Sequence, residues 1–286
     1  MDMNQVLAAE LNVKPWQVEA AVKLIDEGNT IPFISRYRKE ATGSLNDEIL
    51  RNLYDRLMYL RSLNDRKAVV LASIEEQGKL TAELKKSIEE AATLVVVEDL
   101  YRPYRPKRRT RATIAKEKGL EPLANIILLQ MTKEPLEKEA EAFVSEEKEV
   151  KTAKDAIAGA CDIIAESISD EADYRMEIRR RTEAKGLIVS TAKDEKAESV
   201  YENYYEFSEP VSKIAGHRVL ALNRGEKEKF LNVKIEAPTE EILRYLEKKI
   251  ITKENPQTKP VLQATIEDAY NQIGRASCRE RVSSPV

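Results

Sequence analysis

Between Arg102 and Arg111 the chain reads RPYRPKRRTR, which gathers Arg102, Arg105, Lys107, Arg108, Arg109 and Arg111 with no acid among them. Guanidinium groups pair with phosphate through a planar fork, and rings such as those of Tyr101 and Tyr104 stack on bases, so this run has the chemistry of a polyanion contact. Pro103 and Pro106 fix φ and remove backbone donors, which keeps the cations off a regular helix and on an extended, displayed segment. The competing reading is a loop neutralised by acidic helices of the same chain, because basic runs are often salt-bridged or solvated faces. Contacts with Glu137 to Glu149 or other acids would favour that reading. An open groove would favour the phosphate contact.

Other charged groups carry weaker signals. Arg36, Arg38 and Lys39 in ISRYRKEATGS close a short helix, where cations complement the helix dipole, and they are a second candidate nucleic-acid contact. Arg179, Arg180 and Arg181 read as a solvated helical face countered by Glu171, Glu177 and Glu183. Val95 to Asp99 reads either as a strand ending in two carboxylates, the arrangement that holds Mg²⁺ in nucleases, or as a helical acidic cap beside the arginines. His217 is the single histidine, which removes triads with a histidine base by count. Neither a GxGxxG nor a GxxxxGK pattern is present, so nucleotide hydrolysis is not expected. The reading is therefore of a non-enzyme with no cofactor and no metal.

Composition narrows the class. Of 286 residues 34% are charged and 6% aromatic, with only 9 Gly, the profile of a helix-rich protein with long polar faces. A formal net charge of −3 means that any phosphate contact is local. Lys133 to Glu171 holds 12 acids against 5 bases, an acidic neighbour for the arginines or a surface for another partner. No apolar run approaches the ~20 residues that cross a bilayer, and the N-terminus lacks the pattern of a secretion signal. Two cysteines make no disulfide framework, which fits a reducing compartment. A cytoplasmic protein without a membrane partner is expected.

The elements that must position these groups are read from periodicity. Val18, Ala21, Val22 and Ile25 follow helical spacing behind Pro15, with Gly28 past the end. Ile31 to Arg38 predicts a short helix. Ser44 and Asp47, at capping-box spacing, open a long one along Leu50, Leu53, Tyr54, Leu57 and Leu60 that runs to about Gln77. Further helical stretches fall at 80–100, 120–131, 134–144, 150–169 and 171–185. After Gly186 the period changes, and Arg218 to Pro238 predicts two β runs around Asn223-Arg224-Gly225-Glu226, a hairpin loop in which Gly supplies positive φ. Thr239 to Glu254 returns to helix. The predicted architecture is mainly α, a multi-helix elongated scaffold with a small β hairpin, divided as a helical domain over 1–186 and a central α/β-hairpin and helical segment over 187–272.

Residues 273–286 form a separate case. IGRASCRERV back-translates without strain to a short-read sequencing adapter, so this tail is expected to be foreign to the natural protein, which leaves −5 as the charge of the natural part.

Four segments in order, IPFISRYRKEATGSLNDEILRNLYDRL, EDLYRPYRPKRRTRATIAKEKGLEPLA, HRVLALNRGEKE and IEDAYNQ, resemble the N-terminal portion of the bacterial transcription accessory family Tex. The resemblance covers nearly all of residues 1–272. It implies a modular nucleic-acid-binding factor, related to a eukaryotic elongation factor that also acts as a histone chaperone, with a helix-turn-helix-like part in its helical N-terminal region. It also implies an RNase H-like domain, a helix-hairpin-helix part and a C-terminal OB-fold RNA-binding domain, all three lacking in this sequence. No catalytic residues are implied in the part present. The function expected is non-specific binding of RNA or DNA by charge, with the transcription machinery as a further partner. The alternative is an interaction scaffold that docks on that machinery without touching nucleic acid.

Overall fold

A computed structural model describes residues 3–106, 109–194 and 197–283, with side chains described through residue 274. These residues form two compact units, which divide between Tyr101 and Arg102.

The first unit is all helical, with α1 Met3–Leu11, α2 Pro15–Asp26, α3 Ile31–Tyr37, α4 Asp47–Glu76, α5 Ala82–Glu90 and α6 Leu94–Tyr101. Its core is the predicted apolar spacing realised: Val18, Ala21 and Ile25 of α2 pack with Ile34, Leu50, Leu53 and Leu57. The long helix starts where expected, but Ser44 does not cap it. Ser44 sits at φ +62°, and Asn46 is the cap, its side chain accepting from the Ile49 amide at 2.8 Å.

The second unit continues through a 3₁₀ turn Arg102–Tyr104, then α7 Arg111–Glu117, α8 Glu121–Leu129, α9 Leu136–Glu141, α10 Ala153–Asp170 and α11 Ala172–Lys185. It goes on through β1 Leu187–Ala192, β2 Glu206–Pro210, α12 Gly216–Lys227, β3 Leu231–Glu236, α13 Thr239–Ile250 and α14 Lys259–Ser283. At its centre lies α10, opened by a reciprocal Thr152–Asp155 capping box; its Ala156, Ala160, Ile163 and Ile164 pack in one core with Leu123, Ile127, Leu246 and Ile266.

The mainly α architecture holds, and the β part differs from the predicted hairpin. Three antiparallel strands order as β2-β1-β3, with Ile188 opposite both Glu209 and Ile235. Arg218 to Lys227 is helix. Val219 and Leu222, three apart, share a helix face and would fall on opposite faces of a strand, and Gly225 serves contact rather than a turn: a Cβ there would lie 2.6 Å from Leu231 Cδ1. The positive φ falls on Lys229 instead, at +68°. Glycine lets α12 lie directly on β3.

Candidate nucleic-acid interface

The basic run begins in the 3₁₀ turn and ends at the start of α7, where Thr110 caps the helix by accepting from the Thr113 amide at 3.0 Å. This cap converts an extended segment into helix at the last arginine of the run. Each described cation has its own setting. Arg102 is largely covered and pairs with Asp170 of α10 at 3.3 Å. Arg105 is exposed, and no carboxylate partner is found for it among the described residues. Arg109 pairs with Glu117 at 2.9 Å while remaining 69% exposed. Arg111 reaches two carboxylates, Asp162 of α10 at 3.3 Å and Asp268 of α14 at 3.0 Å, and remains 64% exposed. Lys107 and Arg108 lie outside the described residues.

Neither sequence reading survives whole. The arginines do have acidic neighbours, as the neutralised-loop reading expects: Asp162 and Asp170 of α10 lie within the acidic stretch from Lys133 to Glu171, although none of the partners falls in Glu137 to Glu149, and Glu117 of α7 and Asp268 of α14 lie outside both. Yet pairing is not sealing. Outside the covered Arg102–Asp170 pair, the pairs of Arg109 and Arg111 are exposed enough to stabilise by only about 0–1 kcal/mol and to exchange readily for another anion.

The tyrosines divide. Tyr101 is a correction: it is 8% exposed, its hydroxyl lies 3.0 Å from Ser73 Oγ, and the Arg66 guanidinium covers its ring at 5.5 Å. A ring enclosed in this way offers no face to a base. It closes an amphipathic helix, and the apolar side of α6 decides its direction. Tyr104, in the 3₁₀ turn, is half-buried.

The carboxylates of α6 do not converge. Glu98 accepts from Arg66 at 2.5 Å while Asp99 is buried, and consecutive residues on one helix diverge by about 100°. The strand reading of Val95 to Asp99 therefore falls, and with it the Mg²⁺ site; among the described residues no group of three possible ligands comes together. His217 is exposed in the first turn of α12. Arg180 and Arg181 both donate to Glu177 at 2.7 Å, and Arg181 also reaches Glu241 of α13 at 2.7 Å, so Arg181 joins two helices. Those donors hold the Glu177 carboxyl at about 2, so its stabilising share is present above the usual carboxylate range and is lost only as pH falls toward 2.

Arg36, Arg38 and Lys39 are exposed, Arg36 in the last turn of α3 and Arg38 at its end. The Arg38 guanidinium lies 5.3 Å from the Phe33 ring centre, and no carboxylate partner is found for any of the three among the described residues.

Arg111 gives a testable consequence. Burial raises the Asp162 carboxyl above the ordinary aspartate value, Arg111 opposes that shift, and Asp268 adds to it. A raised acid weakens the fold at neutral pH and ceases to do so as pH falls through its folded value. Arg111→Gln should therefore cost about 1 kcal/mol at pH 7, with the deficit shrinking as the pH is lowered toward 4. Urea melts of both proteins across that range check it, and a deficit that grows in acid would be the wrong sign.

Residues 1–75 match the family model of the Tex-like protein N-terminal domain, and residues 130–271 match that of the Tex central region-like family. The chain belongs to the Tex family. Among its Tex relatives and their kin, the uncharacterized protein YdcI of Bacillus subtilis is 48% identical over 95% of this chain and 38% of its own length. The transcriptional accessory protein Tex of Neisseria gonorrhoeae is 43% identical over 82% of this chain and 31% of its own. The human S1 RNA-binding domain-containing protein 1 is 31% identical over 82% of this chain and 24% of its own. This Tex chain thus spans about a third of the length of the relatives it matches. Among its described residues no helix is long and apolar enough to cross a membrane.

Proposed function

We propose that this chain is the N-terminal portion of a transcription accessory protein and that it contacts RNA or DNA by charge, non-specifically, through the segment from Arg105 to Arg111. The observation that supports this most is the exposure of Arg105, Arg109 and Arg111 on a short stretch fixed at both ends, by the 3₁₀ turn and by the Thr110 cap. Carboxylates close by hold the Arg109 and Arg111 guanidiniums in place when phosphate is absent, and phosphate displaces surface partners of this kind at small cost. The names of two relatives agree, one a transcriptional accessory protein and the other an S1 RNA-binding domain-containing protein. Cytoplasmic location and the absence of catalysis belong to the same proposal.

Fluorescence anisotropy of the full chain with labelled single- and double-stranded oligonucleotides across a salt series tests it. Binding should weaken log-linearly with salt, with little dependence on sequence. Affinity that is flat in salt, or no binding at low salt, would count against charge as the basis of the contact.

A further inference from the structure

In the first unit, the exposed cations of α3 lie beside exposed rings. Tyr37, the last residue of α3, is 68% exposed, and its ring centre is 5.3 Å from that of Phe33, whose ring also carries the Arg38 guanidinium at 5.3 Å. Trp16, in the first turn of α2, is 49% exposed. The loop that follows α3 ties the end of that helix to the start of α2. Gln17 Nε2 donates to the carbonyls of Thr42 and Gly43, each at 3.1 Å, and the buried Thr42 returns its amide and hydroxyl to the Arg38 carbonyl at 3.1 and 3.2 Å. Gly43, at φ +61°, lies against the indole: a Cβ there would come within 2.5 Å of Trp16 Cη2. The edge of the indole is therefore fixed by the backbone that carries Arg38 and Lys39.

Packing does not explain this surface. Tyr37 is flanked in the chain by Arg36, Arg38 and Lys39, with Glu40 the one acid from Ile31 to Leu45, and Trp16 lies against the loop that follows them, so π faces and cations occur on one stretch of surface. Cations alone would suit any polyanion. Added rings select a ligand with flat faces between its charges, which is a single strand of nucleic acid, because a duplex hides its base faces in the stack. An acidic peptide matches the charge but has no use for the rings.

We propose that Trp16 and Tyr37, with Arg36, Arg38 and Lys39, form a second contact surface specific for single-stranded nucleic acid. It deepens the charge-based reading above and rests on it. Trp16 is the single tryptophan of the chain, so its emission reports on its own site. Titrating the full chain with unlabelled oligothymidylate should quench that emission saturably, whereas the same strand paired with oligoadenylate should quench it far less. Tyr37→Ala changes an exposed side chain, leaves the reporter in place, and should weaken the quenching titration on the order of tenfold. Combined R36Q, R38Q and K39Q should weaken it at least as much and reduce its salt dependence. Absence of quenching, or quenching indifferent to these variants, overturns the proposal, and so does equal quenching by polyglutamate, which would indicate an acidic peptide. Neutralising the Arg105 to Arg109 cations should leave the quenching titration in place while lowering the anisotropy salt slope, so failure of either surface is read separately. Loss of quenching in that variant overturns a separate surface.

Discussion

Neutralising Arg105, Lys107, Arg108 and Arg109 together to Gln should flatten the salt dependence of oligonucleotide binding by about 3 units in log Kd against log salt, since each phosphate contact contributes about 0.7 to 0.9. Raising the salt fourfold, from about 50 to about 200 mM, should therefore cost the variant about 60-fold less affinity than it costs the parent. Arg102 and Arg111 are left out for a structural reason. Arg102 is largely covered against Asp170, and Arg111 spans Asp162 and Asp268 of two helices, so changing either would mix folding with binding. Arg105 and Arg109 are exposed, and the one carboxylate partner found for them among the described residues, Glu117, is on the surface. Circular dichroism melts should therefore stay within about 0.5 kcal/mol of the parent. A salt slope that stays unchanged in a folded quadruple variant would remove the segment from the interface.

What the sequence disclosed follows from the range of each interaction. Periodicity located α2, α4, α10 and α13 because an amphipathic stripe is a local property of neighbouring residues. The same logic fails over Arg218 to Lys227, where Leu220 and Leu222 alternate as in a strand while Val219 and Leu222 share a helix face, and the decisive contact, Gly225 on Leu231, belongs to tertiary packing. The charge of the basic run was legible, but its partners were not. Arg111 and Asp268 lie 157 positions apart, and no spacing rule connects them. Tyr101 misled because its place between cations in the chain says nothing of the side of α6 on which it falls. The contact of Trp16 with Gly43 is invisible in the sequence for the same reason, since a loop folding back onto the start of a helix leaves only a glycine as its mark, and nine are present.

Gln130→Ala should lower stability by about 2 to 4 kcal/mol, a large effect for a polar residue with no part in either proposed contact. Gln130 ends α8 in the left-handed region at φ +53°, and it is buried. Its amide donates to the Ile250 carbonyl at 2.7 Å and to that of Leu128 at 3.2 Å, while its side-chain oxygen accepts from the Lys253 amide at 3.0 Å. Asn255 adds to the knot, donating to the carbonyls of Gln130 and Thr132 at 3.2 and 2.8 Å. One side chain thus ties the end of α8 to the end of α13 and to the link into α14, where the backbone leaves regular structure and its polar groups need other partners. Truncation strands the Ile250 carbonyl and the Lys253 amide, at about 1 to 3 kcal/mol for each group left unsatisfied. Gln130→Gly separates the two contributions, because it removes the same amide but relieves the left-handed backbone, and should recover about 1 kcal/mol relative to Ala. Urea unfolding of the three proteins, with an unchanged m-value, checks both figures. A cost below about 1 kcal/mol for Ala would mean that water replaces the amide and that the junction of α8, α13 and α14 is held by its apolar contacts alone.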